Sequence, residues 1–269
     1  MHLGLTFVAT VVLSAEPAKL ELIAHRGASA DAPENTLPAI KLAFEQQADT
    51  CEIDVWISKD GKPMVIHDSD TKRVADLAKK VSEQTLAELQ QLDVGRWKDA
   101  RFEGTRIPTL EEALAAIPPG KRVFVEIKCG PDGVPAIVRA VQQSALKPEQ
   151  PLYIGFSAAV LTRVKQEHPE ARTLWIVSLK EDKEKPPLKL ADLIAKAREL
   201  KAEGLNLSAS PRIDAEFVKQ VRDGGLKLYV WTVDDPKVAR PLQALGVDGI
   251  TTNRPSLLRK QLQEDSPAK

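Results

Sequence analysis

The sequence predicts one (β/α)₈ TIM barrel with a β-hairpin excursion after its second strand. Three observations carry that reading. Strand-like runs rich in β-branched and aromatic residues alternate with helical patterns from about residue 22 to the end, as repeated βα units around a parallel sheet do. The runs number eight: Leu22–His25, Cys51–Val55, Val123–Lys128, Leu152–Phe156, Thr173–Val177, Leu205–Ser208, Leu226–Thr232 and Gly249–Thr252. The chain has 269 residues, and barrels of this class commonly close as one unit of about 250.

The first element lies outside the barrel. Leu3 to Leu13 is an apolar run followed by Ser14-Ala15, too short to cross a bilayer as a mature helix. Residues 1–15 read as a signal peptide and 20–262 as the barrel, so a periplasmic or secreted location is expected. The start offers only its amine and His2 where Lys or Arg is usual, which keeps a buried first strand or helix as the competing reading. No later segment approaches a membrane span, so no stable membrane insertion is expected. Lys plus Arg (38) balance Asp plus Glu (38), which leaves no broad electrostatic footprint for nucleic acid; an anionic substrate must be held locally. The pattern carries no signal for an oligomeric state.

Helix signals fill the gaps between strands. Thr109-Leu110-Glu111-Glu112 is a capping box, followed by the apolar face of Leu110, Ala113, Leu114 and Ile117 and the stop Pro118-Pro119-Gly120. Thr85 to Glu88 repeats the device. Asp214 caps a helix that Gly224-Gly225 ends, and Asp235-Pro236 opens another that ends near Gly246. Lys180 to Lys189 reads as a solvated loop and Glu264 to Lys269 as a frayed tail.

The excursion follows from a gap too short for a crossover. Val55-Trp56-Ile57 and Pro63-Met64-Val65-Ile66 are joined only by Ser58-Lys59-Asp60-Gly61-Lys62, so the pair is an antiparallel hairpin turning at Asp60-Gly61. Pairing residues whose numbers sum to about 120 sets Asp54 near Ile66 and Glu52 near Asp68, which lands His67 beside both carboxylates.

Chemistry gathers at the C-terminal ends of barrel strands. The first strand ends in His25-Arg26-Gly27, the second carries Glu52-Ile53-Asp54, and the third ends in Glu126-Ile127-Lys128. Side chains alternate along a strand, so Glu52 and Asp54 share a face, as do Glu126 and Lys128. Ile53, Val55, Val125 and Ile127 belong against the helices, which turns the charged set into the lumen. Three bare carboxylates there would repel one another, so one divalent cation is the expected counter-charge, and all-oxygen ligation suits Ca²⁺ or Mg²⁺. His25 and His67 add two groups that titrate near neutrality, and Arg26 and Lys128 two cations for a phosphate. Placing Glu52 and Glu126 at one level offsets Cys51 and Cys129 by about four residues, roughly 13 Å at ~3.3 Å per residue, so both thiols are expected free.

These residues, with Pro33-Glu34-Asn35-Thr36, Lys59-Asp60-Gly61, His67-Asp68, Val230-Trp231-Thr232-Val233 and the run Gly246 to Pro255, make the chain similar to the glycerophosphodiester phosphodiesterases over nearly its whole mature length. The resemblance implies metal-dependent hydrolysis of small glycerophosphodiesters to glycerol 3-phosphate and an alcohol. It places the ion on Glu52, Asp54 and Glu126, makes His25 and His67 the acid–base pair, sets Arg26 and Lys128 on the phosphate and packs Trp231 against the glycerol; a core role for Trp231 competes. Asn35 is expected to cap the first helix, and Glu34 to lie close by without a chemical role. Asn253 stands where an Asp is common, and Ser69 to Ala78 follows the usual pattern loosely. The competing functions are phospholipase D-like action on lysophospholipids and a non-catalytic cation- or solute-binding barrel.

Overall fold

A computed structural model describes residues 20–180 and 188–264. The chain runs β1 (Glu21–Ala24), α1 (Leu37–Glu45), β2 (Thr50–Ile57), β3 (Pro63–Val65), β4 (Asp70–Thr71), α2 (Lys72–Ala75), β5 (Leu77–Lys80), α3 (Leu86–Leu89) and α4 (Leu110–Ala115). It continues through β6 (Arg122–Ile127), α5 (Val134–Gln143), β7 (Pro151–Gly155), α6 (Ala158–Glu167), β8 (Thr173–Val177) and α7 (Leu190–Glu199). The last units are β9 (Gly204–Ser208), α8 (Ala215–Asp223), β10 (Lys227–Trp231), α9 (Pro236–Leu245), β11 (Gly249–Thr252) and α10 (Pro255–Glu264). The signal-peptide segment, and most of the 180–189 loop and of the 264–269 tail, lie outside the described residues.

Eight parallel strands close the expected barrel, because β1 pairs with both β11 and β2. Alternation sorts their side chains. Ile53, Val55, Val125 and Ile127 pack outward with Ile137, Val138 and Leu110 of the helices, while Ile23, Phe124, Leu152, Ile154, Leu174, Ile176 and Tyr229 fill the lumen. The lumen is therefore apolar through its middle, and its polar residues collect at the rim.

Caps sit mostly where the sequence places them. Thr85 and Thr109 form complete capping boxes, Asp214 accepts from Phe217 N–H, Asp235 accepts from Lys237 N–H, and Gly246 ends α9 at φ 78°. Such caps are each worth about 1 kcal/mol. The first helix differs, since Thr36 caps it and accepts from Ala39 N–H. Asn35 is one residue early, at φ 57°, and its carboxamide turns to the barrel.

The hairpin has the expected register, Val55↔Val65 through Ile57↔Pro63, and Ile66 N–H still donates to Asp54 O at 3.0 Å. The β3 ladder ends there, so Asp68 does not continue it opposite Glu52; its carboxylate turns to Arg73. The register between β2 and β6 also differs from expectation: Glu126 stands level with Asp54, and Glu52 with Phe124. The offset between Cys51 and Cys129 grows accordingly, and both thiols are free. Among the described residues no helix is long and apolar enough to cross a membrane.

Candidate active site

The observed β2–β6 register sets Glu126 beside Asp54 and so draws the three acids together. One oxygen each from Glu52, Asp54 and Glu126 lies within 4.8 Å of the others, and all three side chains are buried. Burial, then Asp54 and Glu126, pushes the Glu52 carboxyl well above its usual range; burial, then Asp54, lifts Glu126 to about 7.

Each carboxylate is held by a neighbouring donor, and Glu52 alone of the three keeps a buried oxygen without a hydrogen-bond partner. Glu52 Oε2 accepts from Arg26 N–H at 2.8 Å, while its Oε1 is buried without a hydrogen-bond partner. Asn35 Nδ2 donates to Asp54 Oδ2 at 2.8 Å, and Lys128 Nζ reaches Glu126 Oε1 at 2.8 Å. An orphaned buried oxygen within an all-carboxylate trio fits a hard divalent cation.

His25 and His67 line the same cavity as Glu52, Glu126, Arg26 and Lys128. The two rings approach it differently supported. His25, just past β1, has Nδ1 2.8 Å from Asn253 Oδ1; His67, just past β3, has Nδ1 2.7 Å from Asp68 Oδ1. Burial first, then Arg26, lowers the His25 pKa below its ordinary 6.5. His67 instead faces a carboxylate.

Arg26 is more committed than the sequence suggests. Its Nη1 donates to Glu34 Oε1 at 2.9 Å, and its Nε lies 3.3 Å from Asp54 Oδ2, an ion-pair distance without hydrogen-bond alignment. Glu34 is gripped from the far side by Arg73, at 2.9 and 2.7 Å, and Arg73 Nε donates to Asp68 Oδ2 at 2.6 Å. Alternating charges thus run from Asp54 through Arg26, Glu34, Arg73 and Asp68 to His67. Lone exposed ion pairs contribute little, but a bidentate pair inside a network can hold geometry.

Trp231 lines the cavity, packs edge-on against Phe156 at 5.8 Å between centroids, and donates from Nε1 to Asn206 O at 3.0 Å. Below it, Asn206 Oδ1 and Thr251 Oγ1 are buried without hydrogen-bond partners. The cavity therefore has an aromatic wall, a floor with unused hydrogen-bonding atoms and a charged rim.

Of the residues expected to act as acid or base or to hold the phosphate, the glycerol or the ion, all reach this cavity except Asp54, which belongs to the acidic trio beside it. The sequence reading missed Asn35 as the holder of Asp54, and Arg73, Asn206 and Thr251. A polar residue two before the strand end, as Asn206 is in β9, was the available signal for that one.

A model of the Glycerophosphoryl diester phosphodiesterase family matches residues 25–257. A glycerophosphodiester phosphodiesterase of Caldanaerobacter subterraneus subsp. tengcongensis is 34% identical over 250 residues, covering 89% of this chain and 96% of that protein. One from Bacillus subtilis is 30% identical, covering 97% and 94%. A phosphodiesterase from Oleispira antarctica, solved in complex with the product sn-glycerol-3-phosphate, superposes with a TM-score of 0.83 at 30% identity, covering 90% of this chain and 96% of its own.

Proposed function

The chain belongs to the glycerophosphoryl diester phosphodiesterase family, and from that premise we propose that it hydrolyses small glycerophosphodiesters to glycerol 3-phosphate and an alcohol by acid–base catalysis between His25 and His67. The observation that carries the reading is that both imidazoles line one cavity, each anchored through Nδ1, so that Nε2 is the nitrogen left for substrate.

The anchors divide the roles. Asn253 is uncharged and Arg26 is adjacent, so His25 rests neutral and serves as base; the Asp68 carboxylate supports the imidazolium of His67, which serves as acid. His25 Nε2 takes the proton of the glycerol 2-hydroxyl, that oxygen bonds to phosphorus, and the bond from phosphorus to the departing alcohol breaks. His67 Nε2 protonates the departing oxygen. A cyclic 1,2-phosphate remains, and water opens it with the two histidines in exchanged roles. Arg26 and Lys128 hold the non-bridging oxygens. Trp231 covers the glycerol carbons, and Asn206 and Thr251 offer hydrogen bonds to its hydroxyls.

Glu52, Asp54 and Glu126 would hold one divalent cation, Ca²⁺ or Mg²⁺, which stabilises the charge that gathers on the phosphoryl oxygens. The apolar run before residue 15 supports export to the periplasm or beyond, and sequencing the mature N-terminus checks it.

The test is to incubate the protein with glycerophosphocholine, glycerophosphoethanolamine, glycerophosphoglycerol and a lysophospholipid, with Ca²⁺, Mg²⁺ or chelator, and to assay glycerol 3-phosphate. His25→Ala and His67→Ala should each lower turnover by about 10²- to 10⁴-fold. Wild-type turnover in either variant, with chemistry rate-limiting, sinks the scheme.

A further inference from the structure

The Asn253 carboxamide lies between neighbours that demand opposite ends of it. On one side His25 Nδ1 and Ser29 Oγ each lie 2.8 Å from Asn253 Oδ1. On the other, Asp234 Oδ2 accepts from Asn253 Nδ2 at 2.6 Å, and Asp234 Oδ1 accepts from Asn253 N–H at 2.7 Å and from Thr252 Oγ1 at 2.9 Å. An ionised carboxylate has no proton to donate, so the NH₂ of Asn253 must face Asp234 and its carbonyl must face His25. A carbonyl opposite Nδ1 leaves the neutral ring one arrangement: the proton sits on Nδ1 and the lone pair on Nε2.

Resting on the reading of His25 as the base, we propose that Asp234 is a positioning residue that sets the tautomer of His25 by locking the Asn253 amide. Parallel pairing of β10 with β11 makes this possible, since it brings the loop after β10 against the end of β11. The carboxylate acts at one remove. It orients the ring through the Asn253 amide, while the charges that act most on the imidazole are those of Arg26, Asp54 and Glu34.

The lock makes a sharp prediction for Asp234→Asn. The oxygen that serves Thr252 and the Asn253 N–H must remain an acceptor, so the new NH₂ falls where Oδ2 stands. Two NH₂ groups would then face each other. Asn253 relieves this by turning over, which presents its own NH₂ to His25 Nδ1 and moves the ring proton to Nε2, the position a base needs empty. The double variant Asp234→Asn with Asn253→Asp exchanges the two groups and restores an acceptor to Nδ1.

The experiment is ¹⁵N-resolved histidine NMR on the full chain, with kinetics beside it. We expect protonated Nδ1 in the wild type and protonated Nε2 in Asp234→Asn. The single variant should lose about 100-fold or more in kcat, the scale of general acid–base catalysis, with KM within about threefold. The double variant should regain the wild-type tautomer and most of the rate. Retention of Nδ1–H in Asp234→Asn overturns the proposal, as does a double variant folded by circular dichroism that keeps the Nε2–H form. The spectrum judges Asp234 independently of turnover, whereas wild-type turnover in His25→Ala would overturn the acid–base reading.

Discussion

Asn35 holds Asp54 with both ends of its carboxamide: Nδ2 donates to Asp54 Oδ2 at 2.8 Å, and Oδ1 accepts from Asp54 N–H at 3.0 Å. Asp54 is the central acid of the trio, level with Glu126 across the strand pair and two residues from Glu52. Its orientation decides whether the three oxygens converge. Asn35→Gly removes both bonds without straining the backbone, because glycine accepts the φ of 57° found here. Loss of such an outer partner typically costs 10- to 100-fold in metal affinity. Titration calorimetry with Ca²⁺ or Mg²⁺ should show a loss of about that size, and unchanged affinity would mean that Asp54 needs no holder.

The contrast between Asn35 and Thr36 shows where the sequence stops being legible. Both residues are good helix caps, and local pattern cannot say which one the barrel claims; the answer comes from Asp54, nineteen residues on. The strands were legible because β-branched runs and side-chain alternation are local properties. The β2–β6 register was not, since no turn joins those strands and barrel closure sets their stagger. Arg73 and Asp234 stayed hidden for the same reason. Glu34 lies 39 residues from Arg73 and Asn253 lies 19 from Asp234, and nothing beside them in the sequence marks them as more than surface charges.

Asp68 should matter to turnover more than to binding. It bridges His67 Nδ1 and Arg73 Nε, and these contacts hold its carboxyl below the usual range although burial works against them. Asp68→Asn keeps the shape but removes the charge that supports an imidazolium. We expect kcat to fall by about 10-fold or more, with KM changed little. A variant that altered KM alone would show His67 to be a binding residue rather than the acid.

The acid limb of the pH profile should lie below pH 6.5. Burial and Arg26 lower His25 beneath that value, outweighing the raising effects of Asn253, Asp54 and Glu34. A base works only when unprotonated, so a lowered pKa keeps the enzyme active further into acid. The limb of kcat/KM against pH reports this group in the free enzyme. Its midpoint should rise when Arg26→Gln removes the neighbouring charge; a wild-type midpoint above pH 7 would rule His25 out as the base.

Divalent cation should stabilise the fold as well as the reaction. Lys128 and Arg26 offset the three buried acids only in part, so a cation that binds only the folded chain raises its stability by mass action. At a hundred times the dissociation constant this is about 2.7 kcal/mol, or roughly 5–10 °C in Tm for a chain of this size. Glu52→Gln should weaken the shift, and chelator should abolish it in the wild type. A melting temperature indifferent to Ca²⁺ and Mg²⁺ would argue that Lys128 and Arg26 already suffice as partners for the acids.

At the opposite end of the barrel Glu203 tests the fold apart from the chemistry. It precedes β9, and its two oxygens accept from Arg172 Nε and Nη2 at 2.7 and 2.8 Å ahead of β8, while Lys227 at the start of β10 joins the pair. Burial would raise its carboxyl, but these two cations outweigh it and bring the pKa down to about 2, from an ordinary 4.5. A depressed folded-state value means that the stabilisation is complete above about pH 4.5 and is lost as pH falls toward 2. Solvent around Lys227 screens the network, so Glu203→Gln should cost about 1–2 kcal/mol at pH 7. Urea unfolding of the wild type and the variant across pH 7 to 3 should show the gap between them constant down to about pH 4.5 and narrowing below it. A gap that widened in acid would reverse the sign of the linkage, and would mean that the folded chain favours the protonated acid.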